Sequence, residues 1–171
     1  MKKCRDALAD SLQRLADYTK DTPVCVCIEN CPDTVPDVET ILTMIESAER
    51  QNLGCCLDTG HLNLSTPGAG HFIRKCGGRL RALHLNDNPG MHDRSEDQMG
   101  YWYADDIHLM PGTFVHSVDW ADVIAALHEI NYSGLWNLEI PGEFRNLPDD
   151  LRELKLKQCF EWSKALFCGN R

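Results

Sequence analysis

Seven residues of this chain have types and positions that could do chemistry together. Four of them, Glu29, Asp58, His84 and Glu139, stand at or beside the ends of four short apolar runs: VCVCIE at 24–29, LGCCLD at 53–58, LRALHL at 80–85 and LWNLEI at 135–140. In parallel α/β folds the carboxyl ends of the strands converge on one point, where sites form. Three carboxylates and one imidazole meeting there would suit a divalent ion such as Mn²⁺, Mg²⁺, Co²⁺ or Zn²⁺. A second group lies close in the chain. His61 follows Asp58 in D-T-G-H, and Asp106 and His108 form D-x-H. Two imidazoles and a carboxylate make a more zinc-like set. Any one of these residues alone reads as a helix cap, a loop histidine or a solvated charge. The case rests on all four strand ends carrying a ligand type. His71, His92, His116 and His128 have no partner at a suggestive spacing and read as surface or packing residues.

The elements that must position these groups follow from periodicity. Runs of four to six apolar residues are expected of parallel strands buried on both faces. Helical stripes alternate with them. Leu8, Leu12 and Leu15 precede the first run; Val38, Ile41, Leu42 and Ile45 follow it. A shorter helix is expected near 71–76, ended by Gly77 and Gly78. Trp120, Val123, Ile124, Leu127 and Ile130 form a stripe before the fourth run. A last helix is expected from Asp149 or Asp150 towards Leu166, with Leu151, Leu154, Gln158 and Trp162 on one side. Alternation of this kind means parallel strands joined by helical crossovers. The irregular stretch 86–118 is long enough to suggest a functional loop.

Bulk properties narrow the classes of function. The 171 residues suffice for one domain with one core, residues 1–171. A net charge of −9 disfavours a nucleic-acid partner. No run nears the roughly 18 apolar residues of a membrane span, and residues 1–10 lack a signal-peptide stretch. A cytoplasmic protein is expected. The nine cysteines include no C-x-x-C pair and read as small buried hydrophobes in a reducing compartment.

The motifs I-E-N at 28–30, L-D-T-G-H at 57–61, L-H-L-N-D-N at 83–88, D-I-H-L-M-P-G at 106–112, V-D-W at 118–120 and L-E-I at 138–140 resemble the xylose isomerase-like TIM-barrel superfamily. That group includes sugar phosphate isomerases and epimerases, and apurinic endonucleases of the endonuclease IV type. The resemblance implies an α/β fold: a partial (β/α)₈ barrel, strands five to eight with their helices, hence the C-terminal half. It implies one divalent metal on Glu29, Asp58, His84 and Glu139, and in the endonuclease branch a further zinc on His61, Asp106 and His108. The expected activity is sugar or polyol isomerisation or epimerisation by proton transfer next to a metal-polarised carbonyl. Glu29 and Glu139 would carry the proton, and His61 would orient or protonate a substrate hydroxyl. Asn30 and Trp102, the latter within Tyr101-Trp102-Tyr103, would join His61 in holding a small sugar. Alternatives are an apurinic endonuclease and an inactive remnant of the barrel family. The chain departs from the tagatose-epimerase-like branch, having Asp87 and Gly90 where that branch carries Glu and Arg, and Phe114 where many relatives have glycine. A half barrel leaves open edges, so a homodimer or a separate N-terminal half-barrel is an expected partner.

Overall fold

The apolar runs become β1 (Val26–Glu29), β2 (Leu53–Asp58) and β3 (Leu80–His84), parallel and adjacent in the order β1-β2-β3. The structure, a computed structural model, describes residues 2–35, 37–66, 68–90, 105–115 and 117–168. β2 is central and buried at every position, as a parallel strand covered on both faces should be. The helices are α1 (Lys2–Thr19), α2 (Val38–Ala48), α3 (Thr59–Asn63), α4 (Ala69–Cys76), α5 (Trp120–Glu129) and α6 (Asp149–Cys168). The crossovers are α2 between β1 and β2, and α3 with α4 between β2 and β3. This is the expected α/β architecture, a partial TIM barrel.

Helix starts are set by local chemistry. The Asp37 side chain accepts the Thr40 N–H at 2.8 Å and opens α2; Asp119 accepts the Asp122 N–H at 3.0 Å and opens α5. The buried stripes are Val38, Ile41, Ile45 and Ala48 on α2, and Trp120, Val123, Ala126 and Leu127 on α5. They enclose Leu53, Leu57, Phe72, Ile73 and Leu83 in one core. Each fully buried side chain of this size contributes about 1.5–3 kcal/mol.

Two expectations are corrected. The fourth run does not become a strand. It lies parallel to β3 through a single bridge, Leu85 with Leu138, with the Leu85 N–H bonded to Asn137 O at 2.8 Å and the Glu139 N–H to Leu85 O at 3.1 Å. Further back, the Tyr132 hydroxyl lies 3.5 Å from Arg81 O and 3.3 Å from Leu135 O, and so takes the place a ladder would occupy.

Simple alternation also fails along β3. Cys55 pairs with Leu80, but Cys56 pairs with Ala82, so Arg81 is an extra residue. Leu80 turns to the helix-side core, and Arg81 lays its stem over Gly54, where a Cβ would collide with it.

The terminal helices dock by other faces than expected. On α1, Leu12 and Ala16 are buried while Leu8 and Leu15 are exposed. On α6, Cys159 and Ser163 are buried and Phe167 packs against Trp120 and Trp136, while Leu151 and Leu154 face solvent and Trp162, still half-exposed, donates its indole N–H to Pro111 O at 3.1 Å.

His71 and His128 are exposed, as read. Cys55, Cys56, Cys76 and Cys159 are buried, Cys25, Cys27 and Cys31 are half-buried, and Cys168 is exposed. No helix among the described residues is long and apolar enough to cross a membrane.

Candidate metal centre

Glu29, Asp58 and His84 are the last residues of β1, β2 and β3, and the Leu85–Leu138 bridge brings Glu139 alongside. One ligand atom from each of the four lies within 4.8 Å of the others. His84 Nδ1 sits between two carboxylates, 3.0 Å from Glu29 and 2.9 Å from Glu139. The side chains of Glu29 and Glu139 are 37% and 38% exposed, so both open onto solvent at the strand ends. The expected set is therefore together, and its donor chemistry fits a divalent cation. Clustered like charges at this spacing repel one another unless a cation or protons neutralise them.

Asp58 is the buried member, at 0% exposure. Its carboxylate accepts the His61 N–H at 2.8 Å, capping α3, and the Asn86 amide at 3.1 and 3.0 Å. Burial pushes its pKa up to about 6, opposed by the His61 charge and by the His61 N–H and Asn86 bonds. Gly60 in D-T-G-H is glycine because a Cβ there would collide with Asn86 Oδ1.

Asn30, expected to touch substrate, has its side-chain amide engaged within the protein. It is 0% exposed, its Nδ2 donates to Asp58 O at 2.9 Å, and its Oδ1 accepts the Asp58 N–H at 2.8 Å. Its side chain thus extends the β1–β2 ladder by one rung, at the point where the ligand must be held.

His61, Asp106 and His108 also come together. His61 Nδ1 donates to Asn30 O at 3.0 Å and His108 Nδ1 to Glu139 O at 3.1 Å. A carbonyl only accepts, so both rings carry the proton on Nδ1. Both Nε2 atoms face Asp106, at 3.3 Å from Oδ2 and 3.1 Å from Oδ1. Burial disfavours the His61 imidazolium, but Asp106 and Asp58 outweigh it and raise the pKa to about 9; Asp106 raises His108 to about 9 as well. Asp106 itself is held well below the usual carboxylate range: burial opposes this, and the two histidines prevail. Asp58, His61 and His108 form a second convergent donor group, also within 4.8 Å, so Asp58 stands between the two sets. Nδ1 protons committed to backbone carbonyls are the usual second-shell arrangement for Nε2 ligation.

The loop that delivers Asp106 and His108 is anchored by a residue that the motifs marked only as a departure from the tagatose-epimerase-like branch. Asp87, fully buried, accepts the Gly112 N–H at 3.0 Å, the Phe114 N–H at 3.3 Å and the Trp120 indole at 3.4 Å, and the Ser117 hydroxyl. The expected sugar contact Trp102, with Tyr101 and Tyr103, lies outside the described residues.

A parallel α/β sheet with ligand-type side chains at its strand ends defines a class, and comparison names it. The chain belongs to the xylose isomerase-like TIM barrel family, whose model matches residues 2–164. The uncharacterized protein y4fM of Sinorhizobium fredii is 34% identical over 89 residues, 52% of this chain and 24% of that protein. Among solved structures, D-allulose 3-epimerase from Methylomonas sp. is 24% identical, with a TM-score of 0.62 over 78% of this chain and 41% of that one. D-psicose 3-epimerase from Clostridium cellulolyticum H10 is 16% identical, with a TM-score of 0.69 over 93% of this chain and 55% of that one. The chain thus spans less than two thirds of the length of these relatives.

Proposed function

We propose that the chain carries the metal-binding half of a sugar or polyol isomerase or epimerase. The observation that carries this reading is the pair Glu29 and Glu139. These two carboxylates flank His84 at 3.0 and 2.9 Å and remain about one-third exposed, above a fully buried Asp58. A divalent cation held by Glu29, Asp58, His84 and Glu139 would supply Lewis-acid polarisation of a substrate carbonyl and so acidify the adjacent C–H. Glu29 takes the proton from one face of that carbon, and Glu139 returns it from the other. His61, its ring fixed by Asn30 O and Asp106, orients or protonates a substrate hydroxyl. The epimerases to which the chain is similar in fold support a small sugar as substrate. Mn²⁺, Co²⁺, Mg²⁺ and Zn²⁺ all suit the donors.

The test is deuterium exchange. Ketoses and aldoses incubated with the full chain in D₂O should take up deuterium only with added metal, and Glu29→Gln or Glu139→Gln should abolish uptake. Cleavage of abasic DNA with no exchange on any sugar would overturn this reading. One observation favours that rival, a phosphodiester-cleaving enzyme: the second donor group of Asp58, His61 and His108. The net charge of −9 counts against it, because a polyanion would be repelled.

A further inference from the structure

Cys56 lies two residues before Asp58 on β2, one layer beneath the Asp58–His84 pair. It pairs in register with Glu29 on β1 and Ala82 on β3, and period-two alternation turns its side chain to the same face as Asp58. Its sulfur belongs to a convergent group with Glu29 and His84, one ligand atom from each within 4.8 Å of the others. Cys56 is only 4% exposed, and among the described residues its Sγ makes no hydrogen bond. A buried cysteine ordinarily behaves as a small hydrophobe among apolar neighbours. This one instead sits beside three carboxylates, Glu29, Asp58 and Glu139; burial first and then their charges hold its thiol protonated in the metal-free chain, a balance that a cation bound among them reverses. Its neighbour Cys55 shows the contrast: fully buried, it packs in the helix-side core with Leu53 and Leu57.

We propose that Cys56 is a sulfur ligand of the metal centre, joining Glu29 and His84 in a mixed sulfur, oxygen and nitrogen set that favours zinc or cobalt over magnesium. The proposal rests on the metal-binding part of the function proposed above. Thiolate donors select borderline and soft ions, whereas magnesium prefers oxygen. On ligation the S–H bond is replaced by a sulfur–metal bond, and the proton leaves to the buffer. No change of oxidation state is involved.

Cobalt spectroscopy on the full chain tests this. The Co²⁺ form should show a near-ultraviolet thiolate-to-cobalt charge-transfer band. Cys56→Ala should lose that band while its visible cobalt bands and calorimetric Co²⁺ binding persist, and Cys159→Ala, on α6, should keep it. Co²⁺ binding without the band, or a band that survives Cys56→Ala, overturns the proposal and leaves the metal site standing. Absence of any Co²⁺ binding to the wild type overturns both. If Cys56→Ala does not fold, ¹¹³Cd resonance of the wild-type chain decides. A shift in the range of sulfur-ligated cadmium is expected, and one in the range of oxygen and nitrogen ligation alone overturns the proposal.

Discussion

The side-chain amide of Asn30 is paired with the backbone of Asp58 on both sides, donating to its carbonyl at 2.9 Å and accepting its N–H at 2.8 Å. The next residue before it, Glu29, is itself a candidate ligand, so one dipeptide supplies a donor and fixes the donor on the neighbouring strand. We predict that Asn30→Ala destabilises the chain by about 2–4 kcal/mol, since each orphaned buried backbone group costs roughly 1–3 kcal/mol. Metal affinity should fall by about 10–100-fold, the usual effect of losing outer-shell support. Urea unfolding and Mn²⁺ calorimetry check both. An unchanged midpoint together with unchanged affinity would remove Asn30 from this role.

Glu139 is held by the Leu85–Leu138 bridge and by His108, whose Nδ1 donates to its carbonyl at 3.1 Å, and its carboxylate lies 2.9 Å from His84. We predict that Glu139→Ala lowers affinity for Mn²⁺, Co²⁺ and Zn²⁺ by more than the roughly 10–100-fold expected of an outer-shell change. Calorimetry of wild type and variant is the measurement. Equal binding would mean that the four-ligand site does not exist as described.

Much of this site was legible in the sequence because its logic is local. Strand runs end at Glu29, Asp58 and His84, and the rule that ligands gather at carboxyl ends needs no knowledge of register. D-x-H likewise brought Asp106 and His108 together. What was missed depends on register or on packing between distant elements. Asn30 reads as a site residue from its place beside Glu29, and only the pairing across to Asp58 reveals its work. The Arg81 bulge turns Leu80 away from the face shared by Ala82 and His84, and no composition signal marks it. The Leu151, Leu154 and Trp162 stripe on α6 is a proper helical pattern, but the helix docks through Cys159, Ser163 and Phe167, a stripe of helical spacing with too few large apolar residues to stand out. Cys56 read as a buried hydrophobe because two of its three carboxylate neighbours, Glu29 and Glu139, come from other segments.

Asp87 gathers the loop that holds His108 by accepting four donors from residues 112–120. We predict that Asp87→Ala costs at least ~3 kcal/mol, because several buried donors lose their acceptor at once. Trp120 reports directly, since its indole is one of those donors. Its emission should shift towards that of a wetter environment, and the denaturant midpoint should drop. A variant with native emission and midpoint would show that the loop is held by other means.

The cluster of His61, Asp106 and His108 predicts how stability of the metal-free chain varies with pH. Both histidines are raised from 6.5 to about 9 in the folded state. Below the unfolded value of about 6.5 both states hold the protons, and the contribution to stability is complete. Between there and about 9 the folded chain retains protons that the unfolded chain has released, so stability falls as pH rises. Asp106 acts in the opposite sense: its lowered pKa contributes stability above 3.8 that is lost as pH falls. Asp58, raised from 3.8 to about 6, takes stability away as pH climbs through that interval and is flat beyond it. Among these four groups only the histidines change charge between about pH 6.5 and 9. In the presence of a chelator, the thermal midpoint of the wild type should decline across that window. In Asp106→Asn the decline should be much shallower, because the carboxylate that holds both protons is gone. Parallel curves for the two proteins would mean that Asp106 does not charge this pair.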